Sequence, residues 1–280
     1  MFFHELIKLT RFEHAIMLAF AVLIAQTAVL GAVPGISIVL VLSLLVPVLS
    51  EMGSFALNDY LDMETDRLNK KTDRPLVKGT ISPEFALYFS IASLALSVAL
   101  AFLINFPAFA IALAFNVLAV MYNWKLKDLP LVGNAYIALT MAIPFIFGNF
   151  VVAPALAQIT LILALLGFVA GLAREIIKSA QDMEGDRKAR GSRTLPIIIG
   201  EKKAVWAAVA LYILFIGLSV LPFIQGLPAA AIPISLVAAA DAIILIICYK
   251  SQRGEYRFAR NASLVAFMLG MVGIMAATLG

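Results

Sequence analysis

Asn58-Asp59-Tyr60-Leu61-Asp62-Met63-Glu64-Thr65-Asp66-Arg67 ends an apolar run that starts near residue 36. A run of that length forms a helix able to cross a bilayer, which needs about 20 residues. Asn58, Asp62 and Asp66 are spaced by four, so on a helix they share one stripe, and Asp59 borders it. Carboxylates held that close repel one another. A divalent cation removes the penalty. Oxygen ligands with no Cys or His nearby suit Mg2+, an ion that typically bridges protein carboxylates to substrate phosphates.

The pattern occurs twice. Asp182-Met183-Glu184-Gly185-Asp186-Arg187 repeats Asp62-Met63-Glu64-Thr65-Asp66-Arg67, 120 residues later. Asp182 and Asp186 are again four apart. Arg174 and Lys178 extend the same stripe backwards, so cations and carboxylates share one helix face. A solvated, charged helix end would explain one such segment. It does not explain two copies of one six-residue pattern, each ending an apolar helix.

Composition sets the class. Of 280 residues 62% are hydrophobic and 14% are charged, against about a quarter charged in soluble domains. The chain therefore reads as an all-α, polytopic membrane protein. Nine spans are expected, near 13–32, 36–60, 83–104, 108–123, 132–152, 155–181, 202–222, 229–249 and 258–279. The fourth looks short for a bilayer. The stretch Ala15–Val33 exceeds a signal-peptide core and reads as a retained first helix. All 21 Lys and Arg lie in 8–11, 67–78, 125–127, 174–203 and 250–260, at one membrane face or on helix ends entering it. The opposite connections carry none. The positive-inside rule puts the charged face, the N-terminus and both Asp motifs at the cytoplasmic side of the cell membrane. The net charge of +4 is spread over short loops and does not indicate nucleic acid. The lone Cys248 excludes a disulfide framework, and His4 and His14 are isolated. One transmembrane domain is expected over 1–280. It carries a weak internal repeat, with motif halves near 36–130 and 155–250, that would bring the two clusters face to face across one cavity. No obligate protein partner is implied; the surroundings are membrane lipids.

Each Asp motif is followed by a basic loop. The first carries Lys70, Lys71, Arg74 and Lys78, the second Lys188, Arg190 and Arg193. Carboxylates for Mg2+ followed by Arg and Lys for phosphate oxygens suit a metal-bridged diphosphate. Apolar walls beside such a rim suit an amphiphile with a diphosphate head, such as a prenyl diphosphate. Its allylic C–O bond ionises when the leaving group is stabilised, and a nucleophile captures the cation.

Those residues resemble the UbiA superfamily of intramembrane prenyltransferases. Asn58-Asp59-x-x-Asp62-x-x-x-Asp66 is similar to its first Asp-rich motif and Asp182-x-x-x-Asp186 to its second. Thr72-Asp73-Arg74-Pro75-Leu76-Val77-Lys78-Gly79 and Tyr122-Asn123-Trp124-Lys125-Leu126-Lys127 resemble its segments after the first motif and the fourth span. The resemblance implies a helical bundle around a central cavity capped by cytoplasmic loops. It implies Asn58, Asp62, Asp66, Asp182 and Asp186 as Mg2+–diphosphate residues, with Arg74, Lys125 and Lys127 on phosphate and Tyr122 near the reacting carbon. Within the family, the segments around Arg174–Lys178, Asp182–Asp186 and Thr194-Leu195-Pro196 look most like the archaeal digeranylgeranylglyceryl phosphate synthases. The implied reaction joins a geranylgeranyl group, from geranylgeranyl diphosphate, to the hydroxyl of a lipid-like acceptor, geranylgeranylglyceryl phosphate.

A phosphorylated acceptor needs cations of its own. Arg174 and Lys178 lie about 18 and 12 Å along a helix from Asp186, and charges at that depth are functional by default. Ion pairs with Glu51 or Asp241 are the structural alternative. An aromatic prenyltransferase of quinone or haem biosynthesis is the nearest rival function. A secondary transporter would not need two Asp clusters followed by basic loops at one rim. The Asp-Gly and Ala-Arg run of CDP-alcohol phosphotransferases is absent.

Overall fold

The structure, a computed structural model, describes residues 2–68, 71–129, 131–190 and 194–279, apart from the side chains of 128 and 186–190. These residues form helices and no strand. Nine of the helical segments are long and apolar enough to cross a membrane. Many of their large apolar side chains are exposed, Ile38, Tyr88, Phe106 and Trp206 among them, as a lipid-facing surface requires. The chain divides into two compact units: Met1–Val22 with Gly35–Lys127, and Leu23–Pro34 with Asp128–Gly280.

The first unit holds α1 (Phe2–Thr10), the start of α2 (Phe12–Leu30), α3 (Ile38–Leu61), α4 (Met63–Leu68), α5 (Pro75–Lys78), α6 (Pro83–Phe102) and α7 (Phe106–Trp124). Local chemistry sets the helix starts. Ser37, Ser82 and Asn105 each accept a backbone N–H three residues on, and Pro83 and Pro107 occupy first-turn positions. Pro107 thus opens α7 rather than closing the preceding connection. The fourth span is 19 residues long and not short. A Cβ on Gly53 would lie 3.0 Å from Leu94 and 3.1 Å from the Ser90 carbonyl, so α3 and α6 pack at small-residue distance. Asn116 of α7 donates to the Leu94 carbonyl and to Ser97, tying α7 to α6.

The segment after the first motif, expected as a loop, contains α5. Leu76 and Ile81 are buried with Leu9, Ala56 and Ala86 in one apolar cluster. Thr80 donates to Glu5 at 3.1 Å. Gly79 ends α5 at φ 73°, in the left-handed region that glycine enters without strain. The basic segment is therefore docked against α1 and α3.

The second unit holds the end of α2, α8 (Val132–Val152), α9 (Gln158–Arg190), α10 (Leu195–Ile199), α11 (Glu201–Leu218), α12 (Leu221–Ile224), α13 (Ala231–Gln252) and α14 (Tyr256–Leu279). Helices α8 and α9 meet at Gly167 and Gly171, where added Cβ atoms would lie 2.4 Å from the Met141 carbonyl oxygen and 2.9 Å from the Met141 sulfur. Asn134 donates to Ser179 at 2.9 Å, a buried polar tie between the same helices.

Candidate active site

In the first unit the site is built on the end of α3. Asp62 terminates the helix at φ −94°, ψ −1°, yet its N–H still donates to the Asn58 carbonyl at 2.9 Å. The Asp66 N–H then donates to the Asp62 carbonyl at 2.7 Å. The four-residue register thus survives the break between α3 and α4, and Asn58, Asp62 and Asp66 keep their common stripe. The Asn58 amide donates to Asp62 Oδ2 at 2.9 Å. Lys127 donates to Asp62 Oδ1. Buried Asp66 faces Lys71 Nζ at 3.0 Å and Arg74 Nε at 3.8 Å.

Asp59 does something else. It is 2% exposed, and its Oδ1 accepts from Arg74 at 2.6 Å and from Arg11 at 3.3 Å. Its Oδ2 is buried without a hydrogen-bond partner among the described residues. Arg11 was not among the residues expected from sequence. It sits between α1 and α2 at φ 45°, a strained conformation for a side chain with a Cβ. Its guanidinium lies 4.2 Å from the Phe55 ring centroid. Burial and the neighbouring Arg74 lower its pKa from the ordinary arginine value, opposed by Asp59, Glu51 and Asp66. Glu51, one of two unassigned intramembrane acids, faces the charge of Arg11.

Tyr122 is partly buried in the last turn of α7, and Lys125 caps that helix in an exposed position. Of the cations expected on phosphate, Arg74 and Lys127 are thus gathered with the carboxylates and Lys125 stands at the surface. The donors of the stripe are all oxygens, a set suited to a hard cation such as Mg2+. Among the described residues no three carboxylate, His or Cys side chains converge tightly enough to hold an ion by themselves, so such an ion would take its remaining ligands from water or substrate phosphate.

In the second unit Arg174, Lys178 and Asp182 lie on α9 as expected, and the second Asp motif stays helical. Asp182 is partly exposed. The side chain of Asp186 lies outside the described residues. Lys178 pairs with buried Glu175 at 3.1 Å. Arg174 Nε donates to Ser263 of α14 at 3.1 Å. Asp241 accepts from Ser219 at 2.8 Å. Ser263 gave no sequence signal, being 89 residues from its partner.

The chemistry of this arrangement can be set beside known proteins. The model of the UbiA prenyltransferase family matches residues 15–270. The chain is 37% identical to digeranylgeranylglyceryl phosphate synthase of Archaeoglobus fulgidus, covering 96% of this chain and 93% of that one. It is 34% identical to the synthase of the same name from Thermococcus kodakarensis, covering 99% of both. A solved structure described as concerning digeranylgeranylglyceryl phosphate synthase in membranes matches with a TM-score of 0.75 at 26% identity, over 99% of both chains. With nine apolar helices among the described residues and its paired Asp motifs, the chain belongs to the UbiA prenyltransferase family and is a multi-pass membrane prenyltransferase.

Proposed function

We propose that this enzyme transfers a geranylgeranyl group from geranylgeranyl diphosphate to the free hydroxyl of geranylgeranylglyceryl phosphate, forming an ether bond. The observation that carries this reading is the 34–37% identity to synthases named for that product, across nearly the full length of both chains. The cations of α9 support it independently, because an acceptor with its own phosphate needs positive charge beyond that for the diphosphate.

Asn58, Asp62 and Asp66 of the first motif, and Asp182 and Asp186 of the second, would each hold Mg2+, which when bound would supply Lewis-acid charge to the leaving diphosphate. Arg74 and Lys127 neutralise further oxygens of that group. Lys127 can reach a phosphate by turning from Asp62, and Asp59 holds Arg74 in place. Lys125 serves the same head group from the rim. The allylic C–O bond breaks, and Tyr122 lies beside the carbon that becomes cationic. The apolar spans take the isoprenoid chain and keep water from that carbon. Arg174 and Lys178 hold the acceptor phosphate, so that the acceptor hydroxyl attacks and releases its proton as the ether bond forms. The charged face, with N-terminus and site, is cytoplasmic.

The test is radiolabelled geranylgeranyl diphosphate with Mg2+, offered geranylgeranylglyceryl phosphate or an aromatic acid. An ether product from the glycerophosphate alone is expected. A C-prenylated aromatic product would overturn the acceptor in favour of the quinone-type reaction. Lys178→Ala should raise the KM for the glycerophosphate by about ten- to a hundredfold, the value of a charge-assisted contact, and affect the diphosphate much less.

A further inference from the structure

We propose that Arg260 of α14 joins Arg174 in gripping the acceptor phosphate, and that Ser263 is the positioning residue that aims Arg174. This rests on the phosphorylated acceptor proposed above and adds a residue and a geometry to it. Helices α9 and α14 pack against each other within the second unit. Arg174 Nε donates to Ser263 Oγ at 3.1 Å, and Ser263 Oγ donates to the Arg260 carbonyl at 2.7 Å. Arg260 and Ser263 are three residues apart and so share the α14 face that meets Arg174. Tyr212 of α11, 1% exposed, lies near Arg174 and Ser263 from a third helix. The serine hydroxyl thereby ties α9 to α14, and among the described residues Arg174 is hydrogen bonded at its Nε edge alone. The outer edge of its guanidinium retains donors for a ligand.

Charge gives the second argument. Arg260 stands one turn before Ser263, the residue that touches Arg174, and its positive charge acts on the Arg174 guanidinium. Among the described residues, Glu175 is the one carboxylate whose charge acts on Arg174, and it is already paired with Lys178 at 3.1 Å. Two arginines at partly buried positions on neighbouring helices, with no carboxylate ion pair to either among the described residues, form a receptor for a doubly charged anion. A phosphate monoester, with a second pKa of about 6, carries between one and two negative charges at neutral pH. Guanidinium forks match its oxygens. Arg174 is eight residues before Asp182, about 12 Å along the helix. A phosphate held at Arg174 and Arg260 is thus distinct from one held at Asp182.

The experiment measures apparent KM in phospholipid-free detergent, which removes lipid headgroups as a competing source of phosphate. Arg260→Ala should raise the KM for geranylgeranylglyceryl phosphate by about tenfold or more, and leave that for geranylgeranyl diphosphate nearly unchanged. Arg260→Lys should recover part of the loss. Ser263→Ala should shift the same constant in the same direction by less. With geranylgeranylglycerol, which lacks the phosphate, Arg260→Ala and wild type should perform alike. Damage to both substrates, an unchanged acceptor KM, or equal loss with the dephosphorylated acceptor would overturn the assignment of Arg260. A wild-type enzyme with no preference for the phosphorylated acceptor would sink the acceptor reading itself. Should Arg260→Ala fail to fold, Arg260→Lys and Arg260→Gln carry the same comparison.

Discussion

Removing the Asp59 carboxylate should expose how the first Asp motif is held. Asp59 is 2% exposed and accepts from Arg74 at 2.6 Å and Arg11 at 3.3 Å. Breaking a fully buried ion pair by deleting one partner costs about 3–5 kcal/mol. Here the two arginine side chains are 23% and 24% exposed, so part of their charge is relieved by water. Asp59→Ala should then cost about 2–3 kcal/mol of unfolding free energy. The 2.6 Å contact carries more of this than the 3.3 Å one. A double-mutant cycle isolates it: Asp59→Ala, Arg74→Ala and the double variant, unfolded chemically in detergent. The double variant should lose less than the sum of the singles by about 1 kcal/mol or more. Strict additivity would refute the idea that Asp59 holds Arg74. In the assay for prenyl transfer, Asp59→Ala should also raise the KM for the diphosphate, because Arg74 loses its fixed position.

Chelation by EDTA should abolish activity and Mg2+ should restore it, with Asp62→Ala and Asp186→Ala each slower by orders of magnitude; full turnover in EDTA would remove the metal from the mechanism. A cysteine replacing Lys71 should react with a membrane-impermeant thiol reagent from the cytoplasmic side only, and labelling from outside would invert the topology. Gly167→Ala should destabilise the protein by about 1–3 kcal/mol, since its Cβ would lie 2.4 Å from the Met141 carbonyl oxygen. Gly217→Ala, with nothing within 4 Å of its Cβ, should be neutral or slightly stabilising in the same thermal unfolding measurement.

Much of the architecture was legible because lipid imposes one rule: each span must be long, apolar and helical. The expected spans near 36–60 and 132–152 coincide with α3 and α8 to within two residues at each end. The fourth span was misjudged because Pro107 reads equally well as a terminator or as a first-turn residue. Asn105, which caps α7, decides between them. Helix register was legible too, since Asn58, Asp62 and Asp66 needed only local geometry to share a stripe. Partners were not. Arg11, Arg74 and Asp59 meet across 48 and 15 residues, and Arg174 meets Ser263 across 89. Nothing in local spacing encodes such meetings. They are set by how helices pack, which in these units depends on glycines such as Gly53 and Gly171 allowing close approach.

The adjacent acids of the first motif show why one stretch can serve two purposes. A helix turns about 100° per residue, so Asp62 lies about 40° from Asn58, whereas Asp59 lies about 100° from it. Asp62 therefore stays on the stripe that meets Lys127, and Asp59 turns toward Arg11 and Arg74. Asn58 and Asp62 present oxygens suited to a metal–diphosphate head. Asp59 is buried on a neighbouring face and anchors the arginine that would meet that head. A carboxylate with two guanidinium partners is a poor choice of metal ligand, because binding an ion would strand two partly buried charges. Under the proposed function, the sequence order Asn-Asp-x-x-Asp would divide labour by helical angle: one face for the ion, the next for the cations that share its anion.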